Sequence, residues 1–303
     1  MVAAARRAGF FGMAALLLAT LSACTAPPPA VDPGSDAARL RAHVETLSID
    51  FAPRDHVNTG NLDRCAAYIS GHFRRAGGRV SEQVYDVNGR TYRNVLASFG
   101  SGPRIVVGAH YDAEVDTPGA DDNASGVAAL IELAYLLGRR APEHRIELAA
   151  FALEEPPHFG TPNMGSARHA AGLAEAGNEL EFMVSLDMVG YSGGNMLSPL
   201  PGPLGENRLV VVGRNQDRAI AGRLADAMGI VSVCKDERIP WVGWSDHANY
   251  WPHGYPGVFI CDSIYRLNPN YETLRDTADT LDYARLARTV SALCDALMDW
   301  RTP

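Results

Sequence analysis

The chain has 303 residues, 47% of them hydrophobic and 20% charged, with a formal net charge of −8. This is ordinary globular composition, long enough for a sizeable core and one large domain. No basic block stands out, so nucleic-acid binding has little support, and a peptide or other small substrate fits better.

The first 23 residues read as a signal peptide. Arg6 and Arg7 give a basic start, and Phe10 to Leu21 is an apolar run too short for a comfortable membrane span. Its end, Leu21-Ser22-Ala23-Cys24, resembles the lipobox of bacterial lipoproteins. That resemblance implies an exported protein, cleaved before Cys24, lipidated there and anchored to a membrane of the cell envelope. Residues 24–36 are Pro-rich and polar and read as the lipidated cysteine with a flexible tether. Residues 37–303 form the remaining domain. Four further cysteines in so large a domain are not a disulfide scaffold. Cys234 and Cys261 each close a predicted strand and are candidates for one bridge, although such cysteines are more often simply buried.

Helical spacing is expected over Ala37 to Ile49 and over Leu62 to Ala76, the second capped by Asn61 and ended by Gly77-Gly78. Strands and helices then alternate. Strands are expected at Tyr92–Phe99, Arg104–Ala109, Arg145–Leu153, Phe182–Leu186, Leu209–Val212 and Gly257–Cys261. Helices are expected at Ser125–Leu137, closed by Gly138, and at Met164–Ala176, Gln216–Met228 and Asp282–Trp300. A Gly/Pro-rich loop spans Ser192 to Glu206. The pattern predicts a single α/β domain, a mostly parallel (mixed) central sheet with helices on both faces. In such sheets ligands collect beyond the carboxyl ends of the strands.

Polar clusters sit where these strands stop. His110 follows an apolar strand, with Asp112 placed to accept its second ring proton. Alone, that pair is more often a hydrogen-bonded surface contact. Asp121-Asp122-Asn123 precede a helix. One carboxylate suffices as a cap, while adjacent carboxylates repel and a cation would relieve them. Glu154-Glu155 end an otherwise apolar strand. Neighbours on extended backbone point to opposite sides, but where the chain turns both can reach one site. Asp187 ends a fourth apolar strand. Together, one imidazole and several carboxylates on one rim are a normal ligand set for zinc.

From about Arg93 to Arg288 the motifs AHYD, PGADDNASG, LEEP, SLDMVG, WSDHANYW and NPNY…DTADTLDY occur in this order. The sequence thereby resembles the zinc exopeptidases that include bacterial leucyl-type aminopeptidases, glutamate carboxypeptidases and glutaminyl cyclases. The resemblance implies two Zn2+, with His110 and Asp187 on one ion, Glu155 on the other and Asp122 bridging. Glu154 would be the general base, Asp112 the support behind His110, and the Tyr271 hydroxyl an oxyanion donor. Asp246 and His247 match a segment near the site that is not normally a direct ligand. Trp241 and Trp244 are candidate walls of a specificity pocket.

One position departs from the pattern. The family has a zinc-binding histidine after asparagine-proline-x-tyrosine, and here Glu272 follows Asn268-Pro269-Asn270-Tyr271. Three readings stay open: Glu272 binds the second metal, the second site is weak or takes another metal, or the protein keeps only binding. The expected activity is removal of N-terminal amino acids from peptides. The alternatives are a single-zinc, glutaminyl-cyclase-like reaction, or a lipid-anchored binding protein. A serine hydrolase is excluded, since Asn163-Met164-Gly165-Ser166-Ala167 is not a Gly-x-Ser-x-Gly elbow.

Overall fold

A computed structural model describes residues 34–192, 209–262 and 268–301. The expected leader, Cys24, most of the tether and most of the loop at 192–206 therefore lie outside the described residues.

Among the described residues six α-helices and eight strands alternate. α1 (Ala37–Glu45), α2 (Thr59–Arg75), β1 (Arg79–Val87), β2 (Arg90–Phe99) and β3 (Arg104–His110) come first. They are followed by α3 (Gly126–Arg140), β4 (Arg145–Phe151), α4 (Gly165–Glu175) and β5 (Phe182–Leu186). β6 (Val210–Arg214), α5 (Arg218–Met228), β7 (Val231–Lys235), β8 (Gly257–Cys261) and α6 (Tyr283–Met298) complete the set. The strands form one sheet in the order β1-β2-β4-β3-β5-β8-β6-β7. Three neighbouring pairs, β1/β2, β2/β4 and β6/β8, are antiparallel. The other four are parallel. The fold is thus the expected single α/β domain with a mixed sheet.

The apolar runs are the interior strands. β3, β4, β5 and β8 are buried almost throughout, because both faces are covered. Alternate residues of β3 enter different cores. Ile105, Val107 and Ala109 belong to the core that also takes residues of α1, α3 and α6, while Val106 belongs to a second core with α4 residues Ala170 and Leu173 and with Tyr250. Both layers hold β4, β3 and β5 side by side and in parallel, so their carboxyl ends share one edge.

Two expectations need correction, and one strand has no counterpart among the expected elements. β1 is an edge strand whose side chains are mostly exposed, so its sequence shows too thin an apolar face to be read. Asn61 lies inside α2, which Asn58 precedes, and its side chain donates to the Pro53 carbonyl instead of capping. Gly138 does not end α3, which runs on to Arg140. A Cβ there would lie 1.9 Å from the Ala76 carbonyl oxygen, so this glycine admits the chain end of α2 against α3. Cys65, Cys234, Cys261 and Cys294 are buried, and no bridge joins Cys234 to Cys261. No described helix is long and apolar enough to cross a membrane.

Candidate metal centre

His110 is the last residue of β3, Glu154 and Glu155 lie just past β4, and Asp187 just past β5. The parallel register of these three strands brings the four residues to one edge. His110 Nε2 lies 3.3 Å from Asp122 Oδ1, 3.6 Å from Asp187 Oδ1 and 3.9 Å from Glu154 Oε2. Donor atoms of His110, Glu154 and Glu155, and those of His110, Asp122 and Asp187, come within 4.8 Å of one another. All five residues are buried.

The local backbone explains how neighbours reach one point. Leu153, just before the glutamate pair, has φ 64°, and Met188, just after Asp187, has φ 54°. Non-glycine residues held there cost roughly 1–3 kcal/mol each, a strain that clusters at functional sites. Asp112 then fixes the glutamate pair, its two carboxylate oxygens accepting the backbone N–H groups of Glu154 and Glu155, each at 3.1 Å. Its Oδ1 also lies 3.6 Å from His110 Nδ1, whose nearer acceptor is the Asp112 carbonyl at 3.3 Å. Asp276 repeats the device, accepting the N–H groups of Asp121 and Asp122 at 2.8 and 3.1 Å.

The two adjacent aspartates divide their tasks. Asp121 accepts from the amides of Gly190 and Tyr191 and from the Asn268 side chain, which engages both its oxygens in structure. Asp122 faces His110. Asn123 ties the same turn to the end of β5 by donating to the Leu186 carbonyl at 2.8 Å. Gly126 is required beneath it, since a Cβ would sit 2.3 Å from Asn123 Oδ1. Behind the site, Asp246 is fully buried, and Ser245 links its segment to β5 through a 2.8 Å hydroxyl contact with Ser185.

The electrostatics are those of a site that wants a cation. Among the described residues no arginine or lysine pairs with Asp122, Glu154, Glu155 or Asp187. Burial pushes Asp122 up to about 6, with Asp187 adding to it. Burial and neighbouring carboxylates push Glu154 and Glu155 well above the usual carboxylate range. Burial opposes a charge on His110, yet Glu154, Asp112, Asp122 and Asp187 around it hold the imidazole proton well above the usual pH. Burial likewise takes Asp246 to about 7. Glu155 Oε1 is buried with no hydrogen-bond partner. One imidazole with converging carboxylates is zinc's donor chemistry, and divalent charge is what the crowding lacks. The residues present fit zinc.

A cavity of about 270 Å³ opens over this edge, lined by Asp122, Glu154, Glu155, Asp187, Tyr271 and Glu272 with apolar walls from Pro156, Phe159 and Trp244. Trp244 is a wall as expected, whereas Trp241 packs beside Val210, Val212 and Phe259. Burial, with Asp122 and a hydrogen bond to Glu272, raises the Tyr271 phenol and keeps it a donor. Glu272 does not join His110. It comes within reach of Glu155 and of Glu114, a residue with no expected role. Asp276 has no expected task beyond its place in a motif, and Arg54 has none at all. Arg54 is wholly buried and donates to the carbonyls of Leu47, Tyr111, Pro118 and Gly119.

Residues 94–297 match the model of Peptidase family M28. A protein of Escherichia coli described as uncharacterized protein YfbL is 38% identical over 283 residues, covering 86% of this chain and 87% of that one. Leucine aminopeptidase 1 of Paracoccidioides brasiliensis is 28% identical over 198 residues, 59% of this chain but only 47% of that protein. Two Bacteroides thetaiotaomicron structures, a leucine aminopeptidase precursor and a glutaminyl cyclase, share the fold. Each has TM-score 0.70 and 22% identity, covering 89% of this chain and 99% of the other.

Proposed function

Since this chain belongs to peptidase family M28 and is a zinc metallopeptidase, we propose that it is an aminopeptidase working with two zinc ions and with Glu154 as general base. The observation that carries this is the convergence of His110, Asp122, Glu154, Glu155 and Asp187 under one partly apolar cavity. His110 and Asp187 would hold the first ion, Glu155 and Glu272 the second, and Asp122 both. When bound, the ions supply Lewis-acid charge that polarises a scissile carbonyl and makes water more acidic.

The chain's own residues supply the rest. Glu154 takes the proton of the attacking water and delivers it to the leaving amine. The neutral Tyr271 hydroxyl donates to the developing oxyanion. The free N-terminal ammonium of a peptide is attracted by the carboxylates around the cavity, which favours trimming from an end. Phe159 and Trp244 give the terminal side chain an apolar wall, so apolar N-terminal residues are the expected preference.

The test is release of free amino acid from a panel of aminoacyl amides, abolished by a chelator and restored by zinc. A cyclase remains the second reading, because the fold matches a glutaminyl cyclase as well as an aminopeptidase precursor and position 272 is altered. N-terminal glutamine peptides yielding pyroglutamate with no free amino acid would decide for it. Restoring the family residue gives a further prediction. Glu272→His should tighten zinc at the second position and raise turnover, because an imidazole replaces one carboxylate in an already acidic site. Activity and second-zinc content falling together would contradict this role for Glu272.

We also propose a lipid anchor at Cys24 and a place in the cell envelope, on the strength of the Leu21-Ser22-Ala23-Cys24 motif. Metabolic labelling with palmitate should mark the full-length chain, and Cys24→Ala should remove the label and release the protein from membranes. An unlabelled, membrane-free wild-type protein would end that proposal.

A further inference from the structure

Glu114 lies in the loop between β3 and the Asp121-Asp122 pair, outside every motif that implied a ligand. One carboxylate oxygen each from Glu114, Glu155 and Glu272 comes within 4.8 Å of the others. Three acidic side chains this close repel, and proximity alone would not make them a site. Glu155, however, is 6% exposed, and its buried Oε1 has no hydrogen-bond partner. Glu114 Oε2 is buried without a partner as well. Leaving such an acceptor unsatisfied is costly, and more so for a charged group. His56 and His158 stack edge to face, ring centroids 5.5 Å apart, and neither belongs to the group of three. Glu272, in contrast, is exposed, which leaves that side open to water.

We propose that Glu114, Glu155 and Glu272 form an oxygen-only binding site for the second divalent cation, a site that discriminates zinc from manganese far less than the His110 site does. Glu114 thereby makes up for the family histidine that Glu272 replaces. Imidazole favours zinc, whereas carboxylate and water suit magnesium, calcium and manganese. Harder ions also keep several waters, which the exposed side of Glu272 allows. Raw affinity still rises from manganese to zinc at any one site, so the difference lies in the ratio between the two sites. The inference rests on the two-cation reading above.

The test uses the full-length chain stripped of metal, loaded with one equivalent of Zn2+ and titrated with Mn2+, following free Mn2+ by its paramagnetic resonance signal. Wild type should bind one Mn2+ per chain beside the retained zinc. Glu114→Ala should weaken Mn2+ at least tenfold, and Glu114→Gln by less, with the first zinc still bound in both as proof of a folded site. Unchanged Mn2+ affinity in Glu114→Ala, with two ions on wild type, overturns the role of Glu114 and leaves the two-cation reading standing. A zinc-to-manganese preference at the second site as steep as at the first overturns the oxygen-only site. A wild type that never takes a second ion, of zinc or manganese, defeats the two-cation reading itself.

Discussion

Replacing Glu154 by Gln should lower kcat by about 10²–10⁴-fold, the range for loss of a positioned general base, while the protein keeps its metal. At about 1.4 kcal/mol per factor of ten, this is roughly 3–5.5 kcal/mol of transition-state stabilisation. The side chains are nearly equal in shape, and the Glu154 backbone stays pinned, because its amide donates to Asp112 rather than to its own carboxylate. What the substitution removes is the ability to carry a proton between water and a leaving amine. The rival role for Glu154 is visible in the same geometry, since its carboxylate lies 3.9 Å from His110 Nε2 and groups with Glu155 as a possible ligand. The two roles separate by measurement. A base gives lost turnover at constant metal content and nearly constant KM. A ligand gives lost metal, partly rescued by excess zinc. Turnover within tenfold of wild type would take Glu154 out of both.

The residues that converge on the site were largely legible in the sequence, and the residues that hold them there were not. His110, Asp122, Glu154, Glu155 and Asp187 each break an apolar run or crowd another carboxylate, and polar groups at successive strand ends are conspicuous against such a background. The interior strands were legible for the same reason, being buried on both faces. β1 was not, because an edge strand needs no continuous apolar face. Gly138 misled because glycine serves both as a stop and as a close-packing contact, and only the nearby Ala76 carbonyl shows which. Asp112 was readable as a partner of His110. That its carboxylate also grips two successive amides follows only from the turn at Leu153. Glu114 sits in a loop already rich in acid, where one more carboxylate carries no information until Glu155 and Glu272 are placed beside it.

Arg54 is the extreme of that second class, and its removal should give the largest loss of stability of any substitution considered. Arg54 is 1% exposed, and its guanidinium reaches four carbonyl oxygens at 2.7–3.1 Å. Three of them, from Tyr111, Pro118 and Gly119, bracket the loop that runs from β3 to Asp122. Burial lowers the pKa of Arg54, and the acidic groups Asp276, Asp112 and Asp122 act against that shift. The cation therefore works twice, closing the loop by hydrogen bonds and placing positive charge behind an acidic site. Arg54→Met would recover the desolvation of one guanidinium, but it would strand buried acceptors and deepen the repulsion among the carboxylates. Removing one partner from a buried charged network typically costs about 3–5 kcal/mol. At roughly 2–4 °C per kcal/mol for a domain of this size, Tm should fall by about 6–20 °C. Arg54→Lys should recover little, because a single ammonium has three donors and cannot span four carbonyls set around a planar fork. Thermal unfolding of metal-loaded and metal-free protein measures both effects. A cation at the centre offsets the repulsion but not the lost hydrogen bonds, so the deficit should be larger in the metal-free protein. A Tm for Arg54→Met within 3 °C of wild type in both states would mean that the loop closes without it.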